Sequence, residues 1–483
     1  KPETLRTAGI DPAKLKWLAS ILCGVFCALA GAAGCRENKE DNEMEWTWLL
    51  PAPEERTLDA GEEFAVALNA QIGDANYLEL RVESGADLRG VIAYHNAEDP
   101  EEKNEEDFYI GREQTSFRQI LDFYFENAYD KVLESVTLKN AGTERASVRV
   151  NAVGCAVKEW YGSAQVFLEK ENIRLGVDMN AGGAINYLEL LNARVEQVKM
   201  PDGSVEIGIN YAAKDGAELM YDSVNLINEM DRGRLVQQSY YGTSSPPYEC
   251  AQYIGTAWPY NPVQGGDYTG TSSQIVDFEF SEDEIYVKTR PLDWAKEESA
   301  TDSYMENWYS IEDGVVRVRN AFTDFSGWVH TYRDQELPAF YGTIALGTLV
   351  TYQGDAPFTG GDLSNHPGLG NWVGQGRAYW DNITENWAAW VNEDDFGVGL
   401  YTPDVTHILT GKVGTKQYTS ALSKAEACTY TTLIGRMRIR TFETLRYEYY
   451  LSVGNVASIR RAFYRLHENG AANGQVAEWC ASK

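Results

Sequence analysis

Side chains that transfer protons or bind hydroxyl groups are concentrated in three stretches of the sequence. These are "NLINEMDRGRLVQQSYYGT" at 225–243, "TAWPYNPVQGGDYTG" at 256–270 and "HTYRDQELPAFYG" at 330–342. A buried polar group without a partner costs about 1–3 kcal/mol. Each stretch therefore needs hydrogen-bonding partners within the fold, or a hydroxyl-rich ligand that supplies them.

The first stretch predicts a polar strand that faces a ligand. Asp231 can pair with either neighbouring arginine, and Arg234 offers a rigid fork of donors suited to sugar oxygens or a carboxylate. In a regular strand Arg232, Arg234 and Val236 would share one side, whereas a bulge or turn would change that. A solvated edge strand with surface ion pairs is the structural alternative. The predicted substrate-binding residues here are Asp231, Arg234, Gln237, Gln238 and Tyr240.

The second stretch combines aromatic rings with short polar side chains among Pro and Gly residues. Aromatic faces stack on the apolar faces of sugar rings, and amides or carboxylates bind the hydroxyls at the ring edges. A well-packed loop is the alternative with the same composition. The predicted substrate-binding residues here are Trp258, Tyr260, Asn261 and Gln264.

The third stretch supplies the side-chain types that are used in proton transfer. A glutamate in a partly desolvated cleft has a raised pKa and can serve as a general acid near neutral pH. A single His or Glu is also often structural. The predicted catalytic residues are the carboxylates Glu336 and Asp267 together with His330 and Tyr241, and Asp231 and Glu385 are reserve carboxylates.

The hydrophobic pattern that must position these residues is that of strands. Alternation of apolar and polar residues with a period of two recurs at 77–82, 148–152, 276–280, 316–319 and 436–440, separated by Gly, Asn and Asp turn residues. The pattern predicts a mostly antiparallel β protein.

One helix and one domain boundary are predicted. Residues 456–467 have an apolar helical face, with Asn455 as N-cap and Gly470 as a stop. The boundary lies near residue 157. The fold class is therefore all-β, with a tether and an N-terminal β-sandwich domain at 36–157, then a large antiparallel β-supersandwich with a short C-terminal helix at 158–483.

A family resemblance is carried by two runs, "LGVDMNAGGAINYLEL" at 175–190 and "NLINEMDRGRLVQQSYYG" at 225–242. Together they resemble the opening of the galactose-mutarotase-like β-supersandwich domains of carbohydrate-active enzymes. The resemblance implies that fold and a sugar ligand. It also implies that His330 and Glu336 are counterparts of the family's His acid and Glu base.

The N-terminal segment is typical of an export signal. Two lysines precede an uncharged apolar run at 17–34 that stops at Cys35. Residues 32–34 resemble a bacterial lipoprotein cleavage box, which implies a lipid anchor on Cys35, and 39–41 resemble the export signal of surface lipoproteins in Bacteroidetes. An uncleaved membrane helix is the alternative. The expected location is the outer membrane, at the cell surface.

Composition excludes several classes of partner and chemistry. The formal net charge of −30 repels nucleic acid, which is not an expected partner. No GxSxG, P-loop, HExxH or dinucleotide motif occurs. No metal or other cofactor is predicted, although calcium bound through Asp and carbonyl oxygens stays open. Four cysteines beyond Cys35 allow one or two disulfides, with the pairing open.

Three functions remain for a carbohydrate ligand. The first is a surface-anchored glycoside hydrolase acting on extracellular glycan through paired carboxylates. The second is a polysaccharide lyase in which Tyr240 or Tyr241 acts with His330, while Arg234 or Gln238 neutralises a uronate. The third is a non-catalytic glycan-binding lipoprotein.

Overall fold

The structure is a computed structural model that describes residues 44–121, 129–159, 164–192, 194–369, 379–414 and 421–481. The described residues from Trp46 onward form one compact unit. Almost all regular structure in the described residues consists of antiparallel strands, so the predicted all-β class is confirmed.

The first nine strands form two antiparallel sheets around a shared apolar core. They are β1 (Thr47–Trp48), β2 (Glu54–Leu58), β3 (Glu63–Gly73), β4 (Tyr77–Ser84), β5 (Leu88–Asn96), β6 (Lys103–Ile110), β7 (Ser116–Ile120), β8 (Lys131–Asn140) and β9 (Ala146–Ala156). One sheet has the order β1-β9-β4-β7 with β2 also paired to β9, and the other has the order β3-β8-β5-β6. In β4 the apolar side predicted from the alternation, Leu78, Leu80 and Val82, is fully buried.

A seven-stranded sheet carries most of the predicted site residues. Its strands are β16 (Gln237–Ser239), β19 (Pro262–Val263), β22 (Leu292–Asp293), β25 (Arg333–Thr343), β28 (Tyr379–Asn382), β31 (His407–Val413) and β32 (Cys428–Met437). Their order across the sheet is β22-β19-β16-β25-β32-β31-β28.

A nine-stranded sheet packs against it. Its strands are β20 (Gln274–Phe280), β21 (Glu284–Arg290), β23 (Ser303–Glu312), β24 (Val315–Asp324), β26 (Thr348–Thr351), β27 (Ser364–Pro367), β29 (Trp387–Val391), β30 (Phe396–Tyr401) and β33 (Thr444–Asn455), in the order β20-β21-β23-β24-β33-β30-β29-β26-β27. Three small sheets complete the β structure: β10 (Gln165–Lys170), β11 (Ile173–Asp178) and β12 (Ala184–Leu190); β13 (Val195–Lys199), β14 (Val205–Ile209) and β15 (Glu218–Tyr221); and the hairpin β17 (Ala251–Tyr253) and β18 (Thr256–Trp258).

Two contacts define which face of the seven-stranded sheet is inside. The ring of Tyr240 stacks on Phe322 of β24 at 4.1 Å between centroids, and Trp390 Nε1 donates to Thr431 Oγ1 at 2.6 Å. Because successive side chains of a strand point to opposite faces, Tyr430 beside Thr431 points away from the nine-stranded sheet. We call the face that carries Tyr430 the outer face.

The N-terminal sheets and the later strands share buried interactions. The core cluster of the first nine strands includes Tyr304 and Phe325. Lys158 Nζ donates to Asp277 at 2.9 Å, and Tyr77 donates to the same carboxylate at 2.7 Å. The predicted division at residue 157 stays a prediction.

The helix prediction is confirmed. Helix α1 spans Val456–Glu468, and the Asn455 side chain caps it by accepting from Ser458 N at 2.9 Å. Gly470 follows the helix with a φ of 82°, a left-handed conformation that favours glycine. A second helix, α2 (Gly474–Ala481), was not predicted; it buries only Val476 and Trp479.

The predicted polar strand is mostly a turn. Asp231 Oδ1 accepts the backbone N–H groups of Gly233 at 3.0 Å and Arg234 at 2.9 Å, so the side chain replaces a strand partner. Regular strand structure is confined to Gln237–Ser239. The alternation of Arg232, Arg234 and Val236, which depended on a regular strand, therefore does not apply, and the turn alternative is the one observed.

Candidate active site

Glu336 lies on the outer face in the middle of the seven-stranded sheet. In register it sits between Ser239 of β16 and Ile434 of β32. Its Oε1 accepts a hydrogen bond from the Tyr430 hydroxyl, and the Ser239 hydroxyl also bonds to it. The residue keeps 8% of its surface exposed. Burial raises the pKa of Glu336, and the two hydroxyl hydrogen bonds oppose that rise.

A break in β25 places this carboxylate. The register shifts between Glu336 and Ala339, where Pro338 has no N–H to give to the ladder. Leu337 in the break is fully buried, and its carbonyl accepts from Thr402 Oγ1 at 2.7 Å. The bulge keeps Glu336 and Tyr341 on the same outer face although their spacing in sequence is odd.

Three tyrosines surround Glu336. The rings of Tyr341 and Tyr430 lie 4.7 Å apart between centroids. Tyr241 is also close enough to interact electrostatically with Glu336. Burial first, and the Glu336 charge second, raise the pKa of Tyr241, Tyr341 and Tyr430 well above the ordinary value. All three hydroxyls therefore stay protonated near neutral pH and act as hydrogen-bond donors.

Gln335 holds Tyr241 in place. Its Oε1 accepts the Tyr241 N–H at 2.8 Å, and its Nε2 donates to the Tyr241 carbonyl at 2.9 Å. Sequence reasoning did not select Gln335 as a site residue. The sequence signal that could have identified Gln335 is its position directly before Glu336, which places it on the opposite face of the same strand.

An arc of aromatic side chains continues from Tyr241. Ring centroids lie 6.4 Å apart for Tyr241 and Trp258 and 5.0 Å apart for Trp258 and Tyr253. Tyr253 also approaches Tyr268 at 5.4 Å and Trp294 at 5.7 Å. We call these five residues the aromatic rim. Tyr253 and Tyr268 were not predicted as site residues.

An ion pair lies near the other end of the tyrosine cluster. Arg234 Nε donates to Asp231 Oδ2 at 2.7 Å, and the same guanidinium hydrogen-bonds the thiol of Cys428 on β32. The Asp231 charge also reaches Tyr341. Both partners remain partly exposed, at 37% for the Asp231 side chain and 21% for Arg234.

His330 and Tyr260 belong to a separate buried network. His330 Nε2 lies 3.2 Å from Asp324 Oδ2, and its Nδ1 accepts from Thr243 N at 3.3 Å. Tyr260 donates to Asp324 Oδ1 at 3.1 Å. The His330 side chain has no exposed surface. The expectation that it would share a cleft with Glu336 is not met, because both ring nitrogens are used inside the protein.

Asp267 also lies in its own network. Its carboxylate accepts from Thr269 N at 2.9 Å, Thr269 Oγ1 at 2.6 Å, Thr271 N at 3.1 Å and Glu298 N at 2.7 Å. Such a saturated carboxylate caps a loop. Of the predicted site residues, Arg234, Tyr241 and Glu336 therefore border one cluster, whereas Asp267 and His330 lie in separate networks.

The predicted amide residues bond to the protein itself. Gln237 bridges the Arg232 carbonyl at 3.0 Å and Gly265 N at 2.7 Å. Gln264 donates to the Gly182 carbonyl at 3.0 Å, at a turn where φ is 57°. The remaining two are also internal: Gln238 accepts from Tyr240 at 2.8 Å, and Asn261 accepts from Trp258 Nε1 at 3.0 Å.

The other predicted features concern the cysteines, metal binding and the N-terminal segment. Cys155, Cys250, Cys428 and Cys480 are free thiols. In the part of the chain that the structure describes, no group of His, Cys, Asp and Glu could hold a metal ion, and no helix is long and apolar enough to cross a membrane. The predicted export signal and Cys35 lie outside the described residues.

Comparison with known proteins gives structural neighbours only, since neither a family model nor a curated protein matches the chain. It is similar to a galactose mutarotase-like protein from Lactobacillus casei ATCC 334 (12% identity, 60% of this chain and 99% of that chain, TM-score 0.32). It is also similar to a galactose mutarotase related enzyme from Lactobacillus acidophilus (10%, 60% and 97%, 0.29) and to a protein in glycosyl hydrolase family 38 from Enterococcus faecalis (9%, 88% and 46%, 0.32).

Proposed function

We propose that the outer face of the seven-stranded sheet binds a saccharide and that the chain is a carbohydrate-active enzyme, namely a glycoside hydrolase. The observation that carries the proposal is a buried glutamate of raised pKa below an aromatic rim. Aromatic rings can stack on the apolar faces of sugars, and a carboxyl that holds its proton can serve as the acid of the carboxyl pair that cleaves a glycosidic bond.

Glu336 has the role of general acid. It gives its proton to the glycosidic oxygen as the bond from that oxygen to the anomeric carbon breaks. Tyr241, Tyr341 and Tyr430 hydrogen-bond the sugar hydroxyls or the carboxyl. Asp231 replaces Asp267 as the second carboxylate, because it borders the same cluster and forms an ion pair with Arg234. As a base it activates a water molecule for attack on the anomeric carbon.

A polysaccharide lyase is the second candidate, since a tyrosine, a glutamate and an arginine lie together. A lyase needs Tyr241 or Tyr430 as the base that removes a proton beside a uronate carboxylate. The raised pKa of both hydroxyls opposes that role. Non-catalytic glycan binding would use the aromatic rim and leave Glu336 without a function.

One assay separates these functions. The protein is incubated with neutral and with uronate polysaccharides, and new reducing ends and the ultraviolet absorbance of unsaturated products are measured together. Reducing ends without absorbance support the hydrolase, and reducing ends with absorbance support the lyase. If neither product forms, while Trp258→Ala abolishes retention on a glycan column that wild type binds, the chain is a binding protein.

The proposal includes export and a lipid anchor on Cys35. It predicts that the chain, expressed with its N-terminal segment in a Gram-negative host, incorporates labelled palmitate and sediments with outer membranes. The Cys35→Ser variant loses both properties. Labelling that persists in the variant would contradict the anchor.

A further inference from the structure

A cavity is lined in part by outer-face residues that neighbour Glu336 in the sheet. It has a volume of about 760 Å³, and Ile434 and His407 are among its lining residues. Ile434 is the register partner of Glu336 on β32, and His407 is the partner of Ile434 on β31. The cavity therefore begins one strand away from the proposed acid.

An ion pair between Asp334 of β25 and Arg436 of β32 lines the cavity. The same two strands pair at Glu336 and Ile434. Asp334 precedes Glu336 by two residues, and Arg436 follows Ile434 by two. Residues two apart on a strand share a face, and a rise of about 3.3 Å per residue places the pair about 7 Å from Glu336 along the sheet. Arg436 Nη1 lies 2.8 Å from Asp334 Oδ1.

The lining has the chemistry of a sugar site. Arg436 and Asp334 remain exposed, at 68% and 37% of their side chains, so a ligand can reach both. Together they present donors and acceptors with no net charge, which suits neutral hydroxyl groups better than an anion. Tyr332 adds an aromatic ring, and the buried side chains Ile434 and Val476 form the apolar part of the lining.

We infer that this cavity is a second sugar-binding subsite, so that the substrate is an oligosaccharide or polymer of neutral sugars and not a free monosaccharide. The inference deepens the proposed function and rests on it. One sugar lies between Glu336 and the aromatic rim, and the next unit of the chain lies against Asp334 and Arg436. The spacing of about 7 Å leaves room for adjacent units along the strands.

The test compares short and long substrates. The probes are 4-nitrophenyl glucosides and xylosides, each with one sugar unit, and maltotetraose, cellotetraose, laminaritetraose and xylotetraose. For wild type, Arg436→Ala and Asp334→Asn, kcat/KM is measured on each. The ratio of tetrasaccharide to monoglycoside kcat/KM is expected to fall about tenfold in Arg436→Ala, since a hydrogen bond to a charged group is lost. An unchanged ratio overturns the inference.

The matched control is Arg145→Ala, which removes an exposed Arg–Asp pair of 3.5 Å in the turns beside β2 and β9. It is expected to leave the ratio unchanged. Circular dichroism of each variant reports folding. If wild type cleaves none of the probes, calorimetric binding of the four tetrasaccharides replaces kinetics: weaker binding in Arg436→Ala supports the subsite while the hydrolase proposal fails. Absence of binding to all four by wild type overturns the subsite as well.

Discussion

Glu336 and Glu385 are both buried glutamates, but their surroundings are opposite. Glu385 has no exposed surface, and its oxygens accept from Arg460, Tyr464, Trp387 and the backbone of Phe358 at distances of 2.6 to 3.1 Å. These hydrogen bonds lower its pKa although burial acts to raise it. Glu336 receives hydrogen bonds from neutral hydroxyls, and burial raises its pKa.

The difference shows what makes a buried carboxylate reactive. The cation Arg460 and three other donors fix Glu385 in its charged form, so Glu385 links α1 to β29 and has no proton to give. Glu336 can hold a proton, keeps a small exposed surface and lies beside the aromatic rim. A shifted pKa in a recess is the property that proton transfer needs. The reserve assignment of Glu385 as a catalytic carboxylate therefore has no support in its geometry.

Glu336→Gln is expected to break catalysis while leaving the fold intact. The substitution keeps the shape of the side chain and removes the transferable proton, so kcat/KM should fall by a factor of about 10²–10⁴. Reducing-end release on the substrate found for wild type measures the loss, and thermal unfolding measures the fold. Retention of most of the activity would remove Glu336 from the mechanism.

Glu385→Gln is expected to have the converse effect. It leaves Arg460, whose side chain is 13% exposed, without its charged partner, and breaking such a pair costs about 3–5 kcal/mol in free energy of unfolding. Urea denaturation measures the cost, and activity per folded molecule should match wild type. The control Glu284→Gln breaks the exposed pair with Arg319 and should cost at most about 1 kcal/mol.

The sequence predicted the strands better than the site. Alternation at residues 77–82 and the cap at Asn455 are local signals, and both are confirmed because local pattern and tertiary burial agree. In contrast, the run 436–440 is strand only up to Met437. The run beginning at Asp231 forms a turn because the Asp231 carboxylate accepts hydrogen bonds from two backbone N–H groups. Composition alone does not predict whether those N–H groups bond to a side chain or to a neighbouring strand.

The site residues were predicted from side-chain type. Whether they lie together depends on which face of the seven-stranded sheet carries each of them. Glu336 and Tyr241 were selected and lie on the outer face with Tyr341 and Tyr430, which were not. The bulge at Pro338 sets which residues of β25 share that face, and period-two counting across it gives the wrong parity. His330 was predicted from chemical type and from the family resemblance, and its ring nitrogens are occupied by Asp324 and Thr243.

The two glutamates are expected to give opposite pH dependences of stability. The folded pKa of Glu336 lies above its ordinary value of 4.5, so the native state binds more protons and stability falls as pH rises from 4.5 through the folded pKa. The folded pKa of Glu385 lies below 4.5, so its contribution is complete above 4.5 and is lost as pH falls through the folded pKa.

Urea denaturation of each Gln variant against wild type, between pH 3 and 8 in steps of about one unit, tests these slopes. Glu336→Gln should gain stability relative to wild type as pH rises above 4.5. The deficit of Glu385→Gln should shrink as pH falls below 4.5. Parallel curves for the two variants would show that their environments do not differ as the structure indicates.

Tyr430→Phe is the smallest and most specific change. It removes one donor to Glu336, and because that hydrogen bond lowers the pKa of Glu336, its loss raises the pKa further. A hydrogen bond is worth about 0.5–1.5 kcal/mol, which corresponds to a shift of about one pH unit or less. If Glu336 is the acid, the alkaline limb of the kcat/KM profile moves to higher pH; movement of the acidic limb instead would make Glu336 the base. Tyr464→Phe, which removes a donor to Glu385, is the matched control and should leave both limbs in place.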